Sequence, residues 1–335
     1  MRAALGGACL LAAGLLLAAP AAAQSRLPRE AFDVIAPTER VTGGRGDMRI
    51  VQPGCRVGPT HWARRRIVDI AVQEWAAFGF QTIDARPVEA GRLPDGVVPE
   101  ALNPRRPAPR QARHLLRFGD WEDEPRTFAA VGGYWSATPD GARVIADQNR
   151  AWRRTDLRID WVQPWSAAFV SWVMCEAGLG DPVQFERDIA HRVYIDQAIR
   201  ARDGEAPRAA YVAHDAGETT IEPGDLLCNA RGAAGYRSLA DRRPQMGEFA
   251  PTHCDVVVRV DEATALIHVI GGNVLNAVSL TILPATRDGD GPLRPLAEAD
   301  LPGARTTFAH LKLRADPVEP NALDHSPTIR AMNGG

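Results

Sequence analysis

An α+β domain, with a helical part packed on an antiparallel β-sheet, is the fold that this sequence predicts. Three observations lead there. Apolar residues recur at three- and four-residue intervals in the first half of the chain, as in Ile67, Ile70, Ala71 and Trp75. Short β-branched runs bounded by turn residues crowd the second half, as in CDVVVRVD, ALIHVI and AVSLTIL. Helices come first and strands afterwards, which disfavours alternating units around a parallel sheet.

Taken in order, residues 1–23 read as a secretory signal. Arg2 is the single charge, an apolar run is centred on Leu10 to Ala19, and Ala21 and Ala23 offer a small-residue cleavage site. The run is shorter than the ~20 residues that a membrane span needs. The expectation is therefore a periplasmic or secreted protein that is not an integral membrane protein after cleavage. Residues 24–59 mix charge, glycine and proline without a lasting hydrophobic period and predict an extended, poorly packed leader. A main domain follows over 60–285. Its first helix begins after Thr60 and ends near Gly79, and a Pro/Arg-rich insertion at about 86–113 reads as a solvated surface loop. The stretch VGGYWSATPDG reads as turns. Residues 164–180, PWSAAFVSWVMCEAGLG, are apolar on nearly every side and predict a buried helix, and a further helix is expected within 184–202. Strands follow from IEPGDLLCNA onward, and 286–335 reads as a loop-rich tail.

Composition narrows the function classes. Lys+Arg number 39 against 41 Asp+Glu, a formal charge of −2, which leaves no electrostatic basis for nucleic-acid binding. Four cysteines remain after cleavage: Cys55, Cys175, Cys228 and Cys254. None has C-x-x-C spacing, so structural disulfides or inert buried thiols are expected rather than a metal or redox centre. Cys228 and Cys254 border neighbouring predicted strands, which suggests a bridge beside His253. A metal set of His253, Cys254 and Asp225 has no ligand spacing, and nothing calls for a cofactor.

The chemistry-bearing residues are Ser166 at a helix start, His253 at a strand start, and Asn273 after Gly271-Gly272. A hydroxyl at a helix N-terminus benefits from the positive end of the dipole, an imidazole on the facing sheet can take its proton, and a third polar group can hold the ring in one tautomer. Each residue also has an ordinary reading: Ser166 as an N-cap, His253 as a strand-edge histidine, and Asn273 as a left-handed turn residue. Trp165 is either a substrate-cleft wall or a core tryptophan.

In order and spacing, these residues resemble papain-like bacterial cell-wall hydrolases of the CHAP and NlpC type, and more closely the domain-of-unknown-function 2272 family. Trp165, Ala167, Phe169 and Val170 match the helix motif, Pro223-Gly224-Asp225 a strand motif, His253 the imidazole, and Gly271-Gly272-Asn273 the last element. Ser166 stands where those hydrolases carry cysteine. The resemblance implies a papain-like fold and acyl transfer to water in a peptidoglycan peptide. It implies Ser166 as nucleophile, His253 as base, Asn273 as orienter and Trp165 beside the substrate; the alternative is an inactive module that binds a cell-wall peptide or a protein partner.

Overall fold

The computed structural model describes residues 25–86, 98–99, 114–154, 160–231, 235–300 and 304–333. Residues 1–23, read from the sequence as a secretory signal, and nearly all of the 86–113 insertion lie outside them. In chain order the strands are β1 (Val41–Thr42), β2 (Arg49–Ile50), β3 (Thr82–Asp84), β4 (Val98–Pro99), β5 (His114–Arg117), β6 (Tyr211–His214), β7 (Leu226–Ala230), β8 (Thr252–Asp261), β9 (Leu266–Val274), β10 (Ala277–Thr286), β11 (Arg294–Pro295) and β12 (Thr307–Leu313). The α-helices are α1 (Ala63–Ala77), α2 (Phe128–Trp135), α3 (Gly141–Arg154), α4 (Ser166–Glu176), α5 (His191–Arg202), α6 (Leu239–Arg242) and α7 (Pro327–Asn333).

The main sheet runs β4-β5-β3-β10-β9-β8-β7-β12-β6, with β11 on β10. Among these pairings β3–β10 is parallel and the others are antiparallel, so the α+β expectation holds at the level of a mixed fold with an antiparallel-rich sheet. Helices α1 and α4 lie on β8 and β9. Every residue of α4 is buried, in keeping with a helix that is apolar all round.

Three expectations are corrected. The 24–59 segment is not a loose leader: Phe32, Val34, Val41 and Met48 are in the core. Its principal anchor is buried Arg40, whose guanidinium pairs with Glu176 at the end of α4 and donates to the carbonyls of Gln52 (2.9 Å) and Gly54 (3.1 Å). A segment held by scattered single residues and an ion pair has no period to read. The stretch from Phe128 to Trp135 is helical rather than turn-rich; Gly132 and Gly133 sit in it because a Cβ there would strike Met48 Sδ (2.4 Å) or the Pro37 carbonyl (1.9 Å). The tail contributes β12, inserted between β7 and β6 with Phe308, Ala309, Leu311 and Leu313 buried.

Disulfides join Cys228 to Cys254 across paired strands and Cys55 to Cys175, 120 residues apart, and both fit an exported protein. Among the described residues no helix is long and apolar enough to cross a membrane. Closing so long a loop restricts the unfolded chain, so Cys55→Ser/Cys175→Ser is expected to lower unfolding free energy in urea by about 2–5 kcal/mol. An unchanged midpoint would contradict the docking of residues 25–59.

Candidate functional site

The start of α4, the start of β8, the start of α5 and the end of β9 meet in one buried polar cluster. Gly271 and Gly272 make the meeting feasible. A Cβ at Gly271 would stand 1.8 Å from Asp255 Oδ1 and 3.1 Å from His253 Nε2, and one at Gly272 would stand 2.4 Å from Phe169 Cβ. Only a residue without a side chain lets β9 approach the helix and the imidazole this closely.

Ser166 is the first residue of α4 and is 5% exposed. It is not the N-cap: Trp165 holds that position, without a side-chain capping bond. The Ser166 hydroxyl instead lies 2.7 Å from Nε2 of His191, the first residue of α5. The other ring nitrogen of His191, Nδ1, accepts the backbone N–H of Cys254 (3.2 Å) and faces the Tyr194 hydroxyl. A nitrogen that accepts an amide N–H carries no proton, so the network puts the ring proton on Nε2, which donates to Ser166 Oγ. Burial, aided by His253 and Arg231, holds His191 well below the usual histidine range and keeps the ring neutral. His191 in this tautomer cannot take a proton from Ser166.

His253 has complementary chemistry. It is fully buried, and its Nε2 lies 2.7 Å from Asp255 Oδ1. A carboxylate only accepts, so the proton is on Nε2; Nδ1 is left bare, buried and without a hydrogen-bond partner among the described residues. Burial lowers the histidine despite the opposing pull of Asp255. For Asp255, burial pushes upward but the contacts with His253 and the charges of Arg305 and Arg231 prevail, so it stays below the usual carboxylate range. The pair is therefore a neutral imidazole against an ionised carboxylate. The rings of His253 and His191 pack edge to face, with centroids 5.1 Å apart.

Of the residues read from sequence, the structure brings Ser166 and His253 into one cluster, each against His191. Asn273 does not join His253, because Asp255 occupies Nε2 and Nδ1 has no partner among the described residues. It sits at φ 55° near the end of β9, before the turn through Leu275 and Asn276, so its turn role accounts for it. Trp165 is fully buried and walls no open cleft: its indole N–H donates to Glu122, and its ring stacks on Tyr134 with centroids 5.7 Å apart. Asp225 is remote in role, held by Arg64 (2.8 Å) and His310 (2.8 Å), and Cys254 is consumed in its disulfide. Among the described residues no group of three metal-ligating side chains occurs.

Asp255 and His191 were missed. Asp255 was within reach of a sequence argument, since residues two apart on a strand share a face and His-x-Asp on β8 pairs them. His191 carried no such signal, because α5 meets α4 only through tertiary packing.

Residues 122–299, more than half of the chain, match the family described as an uncharacterized protein conserved in bacteria (DUF2272). The chain belongs to that family. No curated protein and no solved structure matches it.

The tautomers are open to measurement. Nitrogen-15 NMR of the purified protein at pH 6 is expected to show both His191 and His253 neutral with the proton on Nε2. A protonated Nδ1 on His191 would contradict the network.

Proposed function

We propose that this is an exported, papain-like hydrolase that transfers an acyl group from a peptidoglycan peptide to water through Ser166. The observation that carries the reading is the bare Nδ1 of His253, buried and backed by Asp255 in the cluster that holds Ser166. A base with its tautomer set by a carboxylate is what a serine nucleophile needs, since a hydroxyl, unlike a thiol, cannot be stored as the anion. His191 donates to Ser166 Oγ, so the hydroxyl's own proton is the one available for transfer. Asp255, not Asn273, is the orienting group in this scheme.

In the reaction, Ser166 Oγ bonds to the amide carbonyl carbon as its proton passes to His253 Nδ1. The first free N–H groups of α4 receive the developing oxyanion. The C–N bond then breaks and the departing amine takes the proton from His253. Water, deprotonated by the same nitrogen, attacks the acyl-serine and restores the hydroxyl. Apo hydrogen bonds of this kind commonly tighten only when substrate is present, which accommodates the lack of a direct Ser166–His253 bond. Export is supported by the two disulfides, and the peptide substrate by the resemblance to cell-wall hydrolases.

Two observations favour a second reading, a module that binds a cell-wall peptide without cutting it: His253 is fully buried and Ser166 is held by His191.

Muropeptide release by the mature protein separates the two. Ser166→Ala and His253→Ala are each expected to reduce release by about 10³-fold or more, Asp255→Asn by a comparable order, and Asn273→Ala by less than about threefold. Equal rates in wild type and both alanine variants would remove the catalytic claim. Binding without release, with hydrolysis created by Ser166→Cys, would establish the second reading.

A further inference from the structure

Glu122 is a buried carboxylate that the proposed chemistry does not use, and it ties together three segments around the start of α4. One oxygen accepts the indole N–H of Trp165, the residue before the proposed nucleophile, and the other accepts the backbone N–H of Trp161 (3.2 Å). Its own backbone N–H donates to the Asn276 carbonyl (2.7 Å), in the turn that joins β9 to β10. Trp165 in turn stacks on Tyr134 of α2 and abuts Gly272, where a Cβ would lie 2.9 Å from its ring. Trp161 packs edge-on against Trp152 of α3 with centroids 5.0 Å apart.

We propose that Glu122 is a proton-sensitive positioning residue: ionised, it holds Trp165 and Trp161 with two N–H bonds; protonated, it gives up one of them and frees the segment that leads into Ser166. The chemistry is that of the carboxyl group. An ionised carboxylate offers acceptor sites on both oxygens, whereas the protonated acid turns one oxygen into a donor with two donors already facing it. The charged groups around it act in one direction. Asp160, on the loop before α4, and Asp123, on its own loop, both disfavour its ionisation. Arg45, from the β1–β2 loop, reaches the Asp123 carbonyl and acts on Asp160, while Tyr134 meets the far side of Trp165. Burial is the largest cause, and with Asp160 and Asp123 it outweighs the two N–H bonds and pushes Glu122 up to about 7. The exchange between the two forms thus falls near neutrality. Because the folded-state value is raised above that of ordinary glutamate, the stability linked to Glu122 is full below the ordinary range and is lost as pH rises through about 7.

The inference rests on the hydrolase reading only where it concerns rate, so its test has two arms. In the mature wild-type protein, the indole N–H resonance of Trp165, assigned by its loss in Trp165→Phe, is expected to shift with a midpoint near pH 7. The side-chain carboxyl carbon of Glu122 is expected to titrate at the same midpoint. Glu122→Gln is expected to abolish the indole shift and, in the second arm, to remove the limb near pH 7 from the pH profile of muropeptide release. A pH-independent indole resonance, or midpoints that differ between indole and carboxyl, would overturn the proposal, and both are read on wild type without any variant. Absence of muropeptide release at every pH would count against the hydrolase reading alone, leaving the resonance arm to decide the role of Glu122.

Discussion

The close approach of α4 to the Gly271-Gly272 step of β9 is the constraint on which the rest of the molecule depends. Any Cβ at these positions would collide with Asp255, His253, Phe169 or Trp165. With the glycines present, one buried layer holds an ionised carboxylate, two neutral imidazoles and a serine hydroxyl. Such groups are costly to bury unless each is matched to a donor or acceptor, and three of the four ring nitrogens are matched. The exception, Nδ1 of His253, is the one whose chemistry is basic. Among the described residues His310, paired through Nε2 with Asp225, also has a buried Nδ1 without a partner, so it is the neighbouring Ser166 that sets His253 apart.

The surroundings hold that layer in place through covalent and ionic ties. The Cys228–Cys254 disulfide fixes the strand whose amide at Cys254 sets the tautomer of His191. At the other end of α4, Glu176 receives Arg40 and the Ile35 amide (3.0 Å), and Cys175 is bonded to Cys55. The helix that carries Ser166 is thus secured at its far end by the segment that precedes the domain proper. On the opposite side of the sheet order, Asp225 joins α1 to β12 through Arg64 and His310. A short Pro-Gly-Asp turn therefore serves the scaffold.

Local patterning and tertiary placement account for what was legible in the sequence and what was not. The α4 helix, α1 and strands β7 to β10 were readable because their apolar residues follow the period of the element they form. The Cys228–Cys254 bridge followed from strand adjacency. By contrast, β12 was hidden after a loop-rich stretch, and α3 carries only Val144, Ile145 and Trp152 on its buried face with polar Gln148 and Asn149 between them. In the site, Ser166 and His253 stood out as residue types at element starts. Asn273 drew attention for its flanking glycines, yet those glycines serve the approach of β9, not the asparagine. The partner that Ser166 has, His191, comes from a helix whose docking no local pattern encodes.

Phosphonylation of the purified protein by a fluorophosphonate, mapped by peptide mass spectrometry, reads out whether Ser166 is a nucleophile activated by His253. A single adduct on the Ser166 peptide in wild type, lost in His253→Ala, is the predicted result. A folded wild-type protein that takes no adduct on Ser166, or one that is labelled equally with and without His253, would contradict it.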